Sequence, residues 1–209
     1  MQSLWLAPAV TLLVGYLLGS VPFGLLIARF GGAGDLRKIG SGNIGATNVL
    51  RTGRKGLAAL TLLFDLGKGA LAVFIGSKIV DGGGAMAGVM AFIGHCYPVW
   101  LRFAGGKGVA TMMGVTAALF WPCGLIFAAV WLGMLYVTRY SSMGGMSAAV
   151  SAPVGAALLG QWILVPPLLA MALLVLWRHR ANIGRLIKGA EPKVGAKGGG
   201  GGATTGGDG

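Results

Sequence analysis

The first 28 residues carry no charged side chain, and Arg29 ends the run. At 1.5 Å per residue such a stretch makes a helix of roughly 40 Å, enough to cross a hydrocarbon core of about 30 Å. Residues 4–28, 56–77 and 84–101 are accordingly read as the first three membrane spans. Between Lys107 and Arg139 lie 31 uncharged residues, and between Arg139 and Arg178 lie 38. The longer run holds two spans. The shorter one is settled by charge, because the basic residues fall in short loops: Arg29, Arg37, Lys38, Arg51, Arg54 and Lys55, then Arg102 and Lys107, then Arg139, then Arg178 to Lys197. All these loops share the cytoplasmic side only if the 31-residue run crosses twice, turning near Pro122. The pattern predicts an all-α polytopic membrane protein with seven transmembrane helices, N-terminus outside and C-terminus cytoplasmic. Its fourth and fifth helices are short, at about 15 residues against a norm of about 20.

Composition agrees with that class: 55% hydrophobic, 11% charged, mean hydropathy +0.77. A cleaved signal peptide is disfavoured, since no basic region precedes the first apolar run and no cleavage-site pattern closes it. Residues 1–195 are expected to form one membrane domain. Residues 196–209, AKGGGGGATTGGDG, are expected to be a disordered Gly-rich tail. The formal charge of +12 would point to nucleic acid in a soluble protein. Its clustering in short loops makes it a topology signal here, and no nucleic-acid partner is expected. Cys96 and Cys123 lie in apolar runs without metal-ligand spacing and read as packing residues.

Polar chemistry concentrates in a few stretches. Residues 38–51, KIGSGNIGATNVLR, place Gly40, Gly42 and Gly45 among Ser41, Asn43, Thr47 and Asn48, with basic residues at both ends. The literal G-x-G-x-x-G is not a dinucleotide fingerprint, because it follows a membrane helix instead of a strand. Its physics still suits an anion: glycines let backbone amides approach, and short polar side chains complete the shell beside Arg51. The plainer alternative is a tight turn of small residues between helices. Residues 94–111, GHCYPVWLRFAGGKGVAT, supply a second basic glycine turn, Gly105 to Gly108, ahead of the next apolar segment. It is not a Walker A loop, since position 101 is leucine and Gly108 follows Lys107.

Asp65 and Lys68 stand three residues apart within the second span and are expected to pair or to face the bundle interior. His95 lies in the third span; a histidine bonded to a neighbouring helix is the ordinary explanation. Arg139 is followed by Tyr140, Ser141 and Ser142, and WRHRANIGRLIKGAE near the C-terminus places His179 and Asn182 on one helical face. That stretch also carries Arg178, Arg180, Arg185 and Lys188, and most of these charges read as headgroup contacts and topology determinants. Outside the tail the acidic residues are Asp35, Asp65, Asp81 and Glu191. Such scarcity argues against a carboxylate-held metal and against a Ser-His-Asp triad, and favours a site that stabilises negative charge.

Five blocks, GSVPFG at 19–24, GSGNIGATNVLR at 40–51, FDLGKGA at 64–70, GHCYPVWLRFAGGKGVAT at 94–111 and RHRANIGRLIKGAE at 178–191, make the chain resemble the bacterial acyl-phosphate-dependent glycerol-3-phosphate acyltransferase family over residues 4 to about 195. The resemblance implies a bacterial inner-membrane enzyme of phospholipid biosynthesis with its active site facing the cytoplasm. It implies acyl transfer from acyl phosphate to the 1-hydroxyl of glycerol-3-phosphate, giving lysophosphatidic acid and inorganic phosphate, with no cofactor, no metal and no obligate protein partner. Carried over motif by motif, the catalytic set is Lys107, Ser142, His179 and Asn182. Substrate is held by Ser41, Gly42, Asn43, Thr47, Asn48, Arg51, His95 and Thr111. Around Arg139 the match is short, and Ser142 is taken over Ser141.

An acyl phosphate is a mixed anhydride with a good leaving group, so direct attack by the hydroxyl suffices. In this family the proton is taken by the substrate's own phosphate, with His179 as the rival base. The H-x-x-x-x-D box of acyl-thioester acyltransferases is absent: position 100 is tryptophan and position 184 is glycine. The competing class is a small transporter or channel for an anionic metabolite, disfavoured because no inverted repeat is visible and the polar motifs gather on one side. A lipid-binding scaffold is the third reading.

Overall fold

The computed structural model describes residues 4–195, and the Gly-rich tail predicted at 196–209 lies outside the described residues. All regular structure among the described residues is helical: α1 (Leu6–Gly19), α2 (Phe23–Phe30), α3 (Ala46–Leu50), α4 (Lys55–Ile79), α5 (Gly83–Cys96), α6 (Val109–Leu119), α7 (Trp121–Thr138), α8 (Ser141–Leu158), α9 (Val165–Arg178) and α10 (Arg180–Ile187).

The expectation of seven spanning helices is corrected. Four stretches are long and apolar enough to cross a membrane: Leu6–Phe30 across its break, Lys55–Ile79, Gly83–Leu101 and Trp121–Thr138. The pair Trp162–Arg178 and Arg180–Ile187, bent by 56°, makes a fifth. Two legs fall short for different reasons. Helix α6 has 11 residues, a rise of only about 16 Å. Helix α8 has 18, but serines, glycines and an internal Pro153 dilute its apolar character. The turn anticipated near Pro122 is present: Phe120 is extended, and Pro122 sits in the first turn of α7, where its missing N–H costs nothing.

The first span is one element in sequence but two in space. Pro22 follows Ser20 and Val21, and the ladder lapses between Gly19 and Phe23. Carbonyls freed in a bilayer need partners. Trp100 Nε1 donates to Ser20 O at 2.8 Å, and Lys68 Nζ donates to Val21 O at 2.9 Å. Lys68 also reaches Asp65 Oδ1 at 2.8 Å, so the predicted pair exists and its lysine closes the break.

Small residues bring α1, α4, α5 and α6 close together. A Cβ added at Gly15 or Gly19 would run into the backbone of Ala87 or Ala91, and one at Gly69 or Gly114 would strike the carbonyl of Thr111 or Leu66. In a bilayer such close approach supplies dispersion where the hydrophobic effect between helices is weak. The larger side chains gather elsewhere: Phe92, Met112, Phe127, Leu168, Met171 and Val175 fill the core shared with α7, α8 and α9. Cys96 and Cys123 are free thiols packed in it.

Candidate active site

The first glycine-rich loop is held from within by Asn48, which α3 presents at 1% exposure. Its Nδ2 donates to the carbonyls of Leu36 (2.9 Å) and Ile39 (3.0 Å), and its Oδ1 accepts from the Ser41 amide (3.1 Å) and hydroxyl (3.4 Å). Gly40 (φ 55°) and Gly42 (φ 68°) take left-handed conformations that the tight return requires. Thr47 Oγ1 shares a hydrogen bond with Ser141 Oγ at 2.8 Å, joining α3 to the start of α8. Asn48→Ala takes the acceptor from the Ser41 amide and leaves Leu36 O and Ile39 O only the backbone amides of Ile39 and Gly42. It should raise KM for the anionic substrate about tenfold by the cost of such a loss, read from initial rates.

The second loop runs from Gly105 to Gly108. Its Gly105 and Gly106 amides donate to the last α5 carbonyls, Cys96 O (3.2 Å) and His95 O (3.0 Å). Gly108 (φ 82°) turns directly into α6. Lys107 Nζ donates to Asn182 Oδ1. Burial pushes the Lys107 ammonium down to about 8, with Glu191 opposing that shift and Arg185, Arg51 and Arg178 adding to it.

Around the bend between α9 and α10 a compact network forms. His179 Nδ1 lies 2.8 Å from Val175 O, so it donates there and leaves the Nε2 lone pair directed elsewhere. Glu191, buried at 7% exposure, accepts from Ser142 Oγ (2.7 Å) and Asn182 Nδ2 (2.6 Å) through Oε1, and from Arg185 Nε (2.7 Å) through Oε2. Burial raises the Glu191 carboxyl, but these three donors outweigh it and hold the group below its ordinary range. The segment after Glu191 is fastened by Val194 N to Arg139 O at 2.8 Å and by Arg139 to Val194 O at 3.2 Å.

These elements enclose one cavity of about 1130 Å³. Ser41, Asn43, Thr47, Asn48, Arg51, His95, Lys107, Ser142, His179 and Asn182 all line it. Ten of the twelve predicted site residues thus meet across elements far apart in sequence, and Gly42 and Thr111 do not reach its wall. Gly42 is exposed and serves the turn; Thr111 is fully buried against Gly69, its hydroxyl without a partner in the protein. Asp65 and His95 face each other at 3.5 Å along the same wall, whereas Lys68 does not line it. Another part of the wall is apolar, with Leu62 and Leu66 from α4, Met113 from α6, and Phe127, Trp131 and Leu132 from α7. The site therefore joins a polar, net-basic part to an apolar part.

Three participants escaped sequence reasoning. Glu191 was visible as a lone carboxylate in a basic run, a placement that signals a partner. Ser141, passed over for Ser142, belongs to the wall through Thr47. Arg178, one of four basic residues most of which read as headgroup contacts, turns inward, Nε donating to Gly106 O at 3.1 Å and Nη2 to Gly105 O at 2.7 Å. Nothing in its neighbours announces that turn.

A family model described as glycerol-3-phosphate acyltransferase matches residues 9–189. The glycerol-3-phosphate acyltransferase of Erythrobacter litoralis is 55% identical over 192 residues, covering 92% of this chain and 98% of that protein. That of Mesorhizobium japonicum is 53% identical over 189 residues, covering 90% and 97%. The crystal structure of PlsY (YgiH), an integral membrane glycerol 3-phosphate acyltransferase, in its glycerol 3-phosphate form superposes with a TM-score of 0.85 at 36% identity, covering 90% of this chain and 96% of that one. Its lysophosphatidic acid form gives 0.81 at 34%, covering 89% and 94%. With a family match over most of its length and relatives above half identity, the chain belongs to the glycerol-3-phosphate acyltransferase family.

Proposed function

We propose that this acyltransferase takes its acyl group from acyl phosphate and delivers it to the 1-hydroxyl of sn-glycerol-3-phosphate, releasing inorganic phosphate and 1-acyl-glycerol-3-phosphate. The observation that carries the reading is a single cavity lined by two glycine-rich loops on its polar side and by apolar side chains of α4, α6 and α7 on the other. Both substrates bear phosphate, and one bears a long chain. The loop at 40–48 with Arg51 suits one phosphate through backbone and short side chains. Lys107, Ser142, His179 and Asn182 surround glycerol-3-phosphate, with Lys107 and Arg51 countering its charge. Leu62, Leu66 and Phe127 receive the acyl chain.

The hydroxyl oxygen forms the ester bond to the carbonyl carbon as the carbon–oxygen bond to phosphate breaks, and no enzyme nucleophile intervenes. Proximity is worth about 7–11 kcal/mol at most in such reactions. The departing phosphate carries away the bond pair, and amides and cations stabilise it. The hydroxyl proton goes to the substrate's own phosphate. One observation favours the rival, His179: with Nδ1 committed to Val175 O, its Nε2 is free to accept. A general base contributes about 10²–10⁴-fold, so His179→Gln retaining more than a tenth of turnover leaves the proton with the phosphate.

The gathering of basic residues in short loops supports an N-terminus outside and a C-terminus and active site on the cytoplasmic side of a bacterial inner membrane. Residues 1–195 act as the single catalytic domain. The test is phosphate release by purified protein in a lipidic host, given glycerol-3-phosphate with palmitoyl phosphate or palmitoyl-CoA. Release that requires glycerol-3-phosphate and yields lysophosphatidate from the acyl phosphate alone establishes the donor. Turnover with the thioester instead overturns it.

A further inference from the structure

We propose that Arg178 is a positioning residue of the second glycine loop: its guanidinium grips the carbonyls of Gly105 and Gly106 and thereby keeps Lys107 turned into the cavity. The inference rests on the reading of Lys107 as a substrate-binding cation.

Every backbone polar group of Gly105 and Gly106 is spoken for. Their amides donate to Cys96 O and His95 O, carbonyls at the C-terminal end of α5, where the helix leaves its last acceptors unused. Their own carbonyls point the other way and accept from Arg178, 72 and 73 residues distant in sequence. The guanidinium in turn lies over the Tyr97 ring, 5.0 Å from its centroid, so its plane is set by stacking. The approach to the loop is equally constrained: Arg102 (φ 51°) and Phe103 (φ 61°) both hold left-handed conformations, which non-glycine residues keep only when the surroundings impose them. At the far side the Phe92 ring lies against Gly108.

A loop fixed on both edges has one remaining freedom, the direction of its next residue. With the carbonyls of Gly105 and Gly106 drawn to Arg178, Lys107 emerges on the cavity side, within reach of Asn182. Arg178 and Asn182 flank the same bend between α9 and α10, so one C-terminal element sets both the loop and the side chain that meets its lysine. Two carbonyls spaced along a chain match the planar fork of a guanidinium. A lysine at 178 keeps the charge, and with it any role in topology, but cannot hold both carbonyls.

The experiment is a double-mutant cycle between Arg178→Lys and Lys107→Ala in the full-length protein, read as kcat/KM with acyl phosphate and glycerol-3-phosphate. The Kd of glycerol-3-phosphate by calorimetry supplies a parallel cycle. Arg178→Lys alone should lower kcat/KM about 10- to 100-fold with an unchanged thermal midpoint, the scale expected when a working group shifts by about 1 Å. In the Lys107→Ala background the same change should cost less than about threefold, since nothing is left to position. Should Arg178→Lys fail to fold, Tyr97→Leu takes its place in the cycle, loosening the guanidinium without removing it.

Activity of Arg178→Lys within threefold of the parent, or an equal loss in both backgrounds, overturns the proposal. If the parent binds glycerol-3-phosphate yet does not turn over acyl phosphate, the donor assignment fails. The binding cycle then still decides the role of Arg178.

Discussion

Lys107→Ala is expected to cut kcat/KM by about 10²–10³-fold, the scale of losing one preorganised stabilising donor, while the helical fold survives. Lys107 is half-buried between its own loop and Asn182, so its charge acts through a medium that screens little. Burial has already pushed its pKa down to about 8 against an ordinary 10.5. Two pH effects of opposite sign follow. In free enzyme the working cation disappears as pH rises through about 8, so kcat/KM should show a descending limb there. A bound phosphate favours the charged form and moves the corresponding limb of kcat to higher pH.

Stability runs the other way. Between about 8 and 10.5 the unfolded chain holds a proton on this lysine that the folded chain has released, so the free energy of unfolding gains from this group as pH rises. Lys107→Ala should abolish both effects and leave the thermal midpoint at neutral pH unchanged or slightly raised. A variant that keeps parental kcat/KM in a folded sample removes Lys107 from the site.

Much of this site could be found in the sequence because polar residues are costly in an apolar chain and so demand a reason. Lys107, His179, Asn182 and the 40–48 loop stood out on that ground, and the cavity wall contains the three side chains and all of the loop but Gly42 and Ile44. Thr111 stood in an equally good motif but faces α4, because a motif fixes neighbours in sequence and not the rotation of a helix. Arg178 and Glu191 could not be assigned for a related reason. Each gains its role from a partner brought near by the folding back of the chain: Arg178 from Gly105 and Gly106, Glu191 from Ser142. The span count failed differently. Charge placement says where the chain turns, but the length of each leg depends on packing. Helix α6 stops at Leu119 with Gly114 pressed on Leu66 of α4, short of a full crossing.

The largest stability effect should come from Asp65→Ala. Asp65 and Lys68 are 3% and 4% exposed, and their 2.8 Å pair is completed by Val21 O. Removing the carboxylate leaves an ammonium in the interior with one carbonyl and the Phe23 ring, 5.7 Å from its centroid, for company. Breaking a buried pair from one side costs about 3–5 kcal/mol, because the survivor is desolvated without compensation. Lys68→Met should cost a comparable amount, since it leaves the buried Asp65 facing only His95 and Val21 O at the α1–α2 break with only the Phe23 amide. The double variant Asp65→Ala with Lys68→Met should cost clearly less than the sum, as neither charge remains. Unfolding midpoints in mixed micelles of rising SDS content give all three values. Additive losses would mean that the two residues do not act as a pair. Activity then separates structure from chemistry: Asp65 lines the cavity beside His95, while Lys68 does not. If the pair serves only the fold, the double variant turns over at near the parental rate wherever it is folded. A folded double variant with little turnover assigns Asp65 a second task, holding the His95 ring toward the cavity.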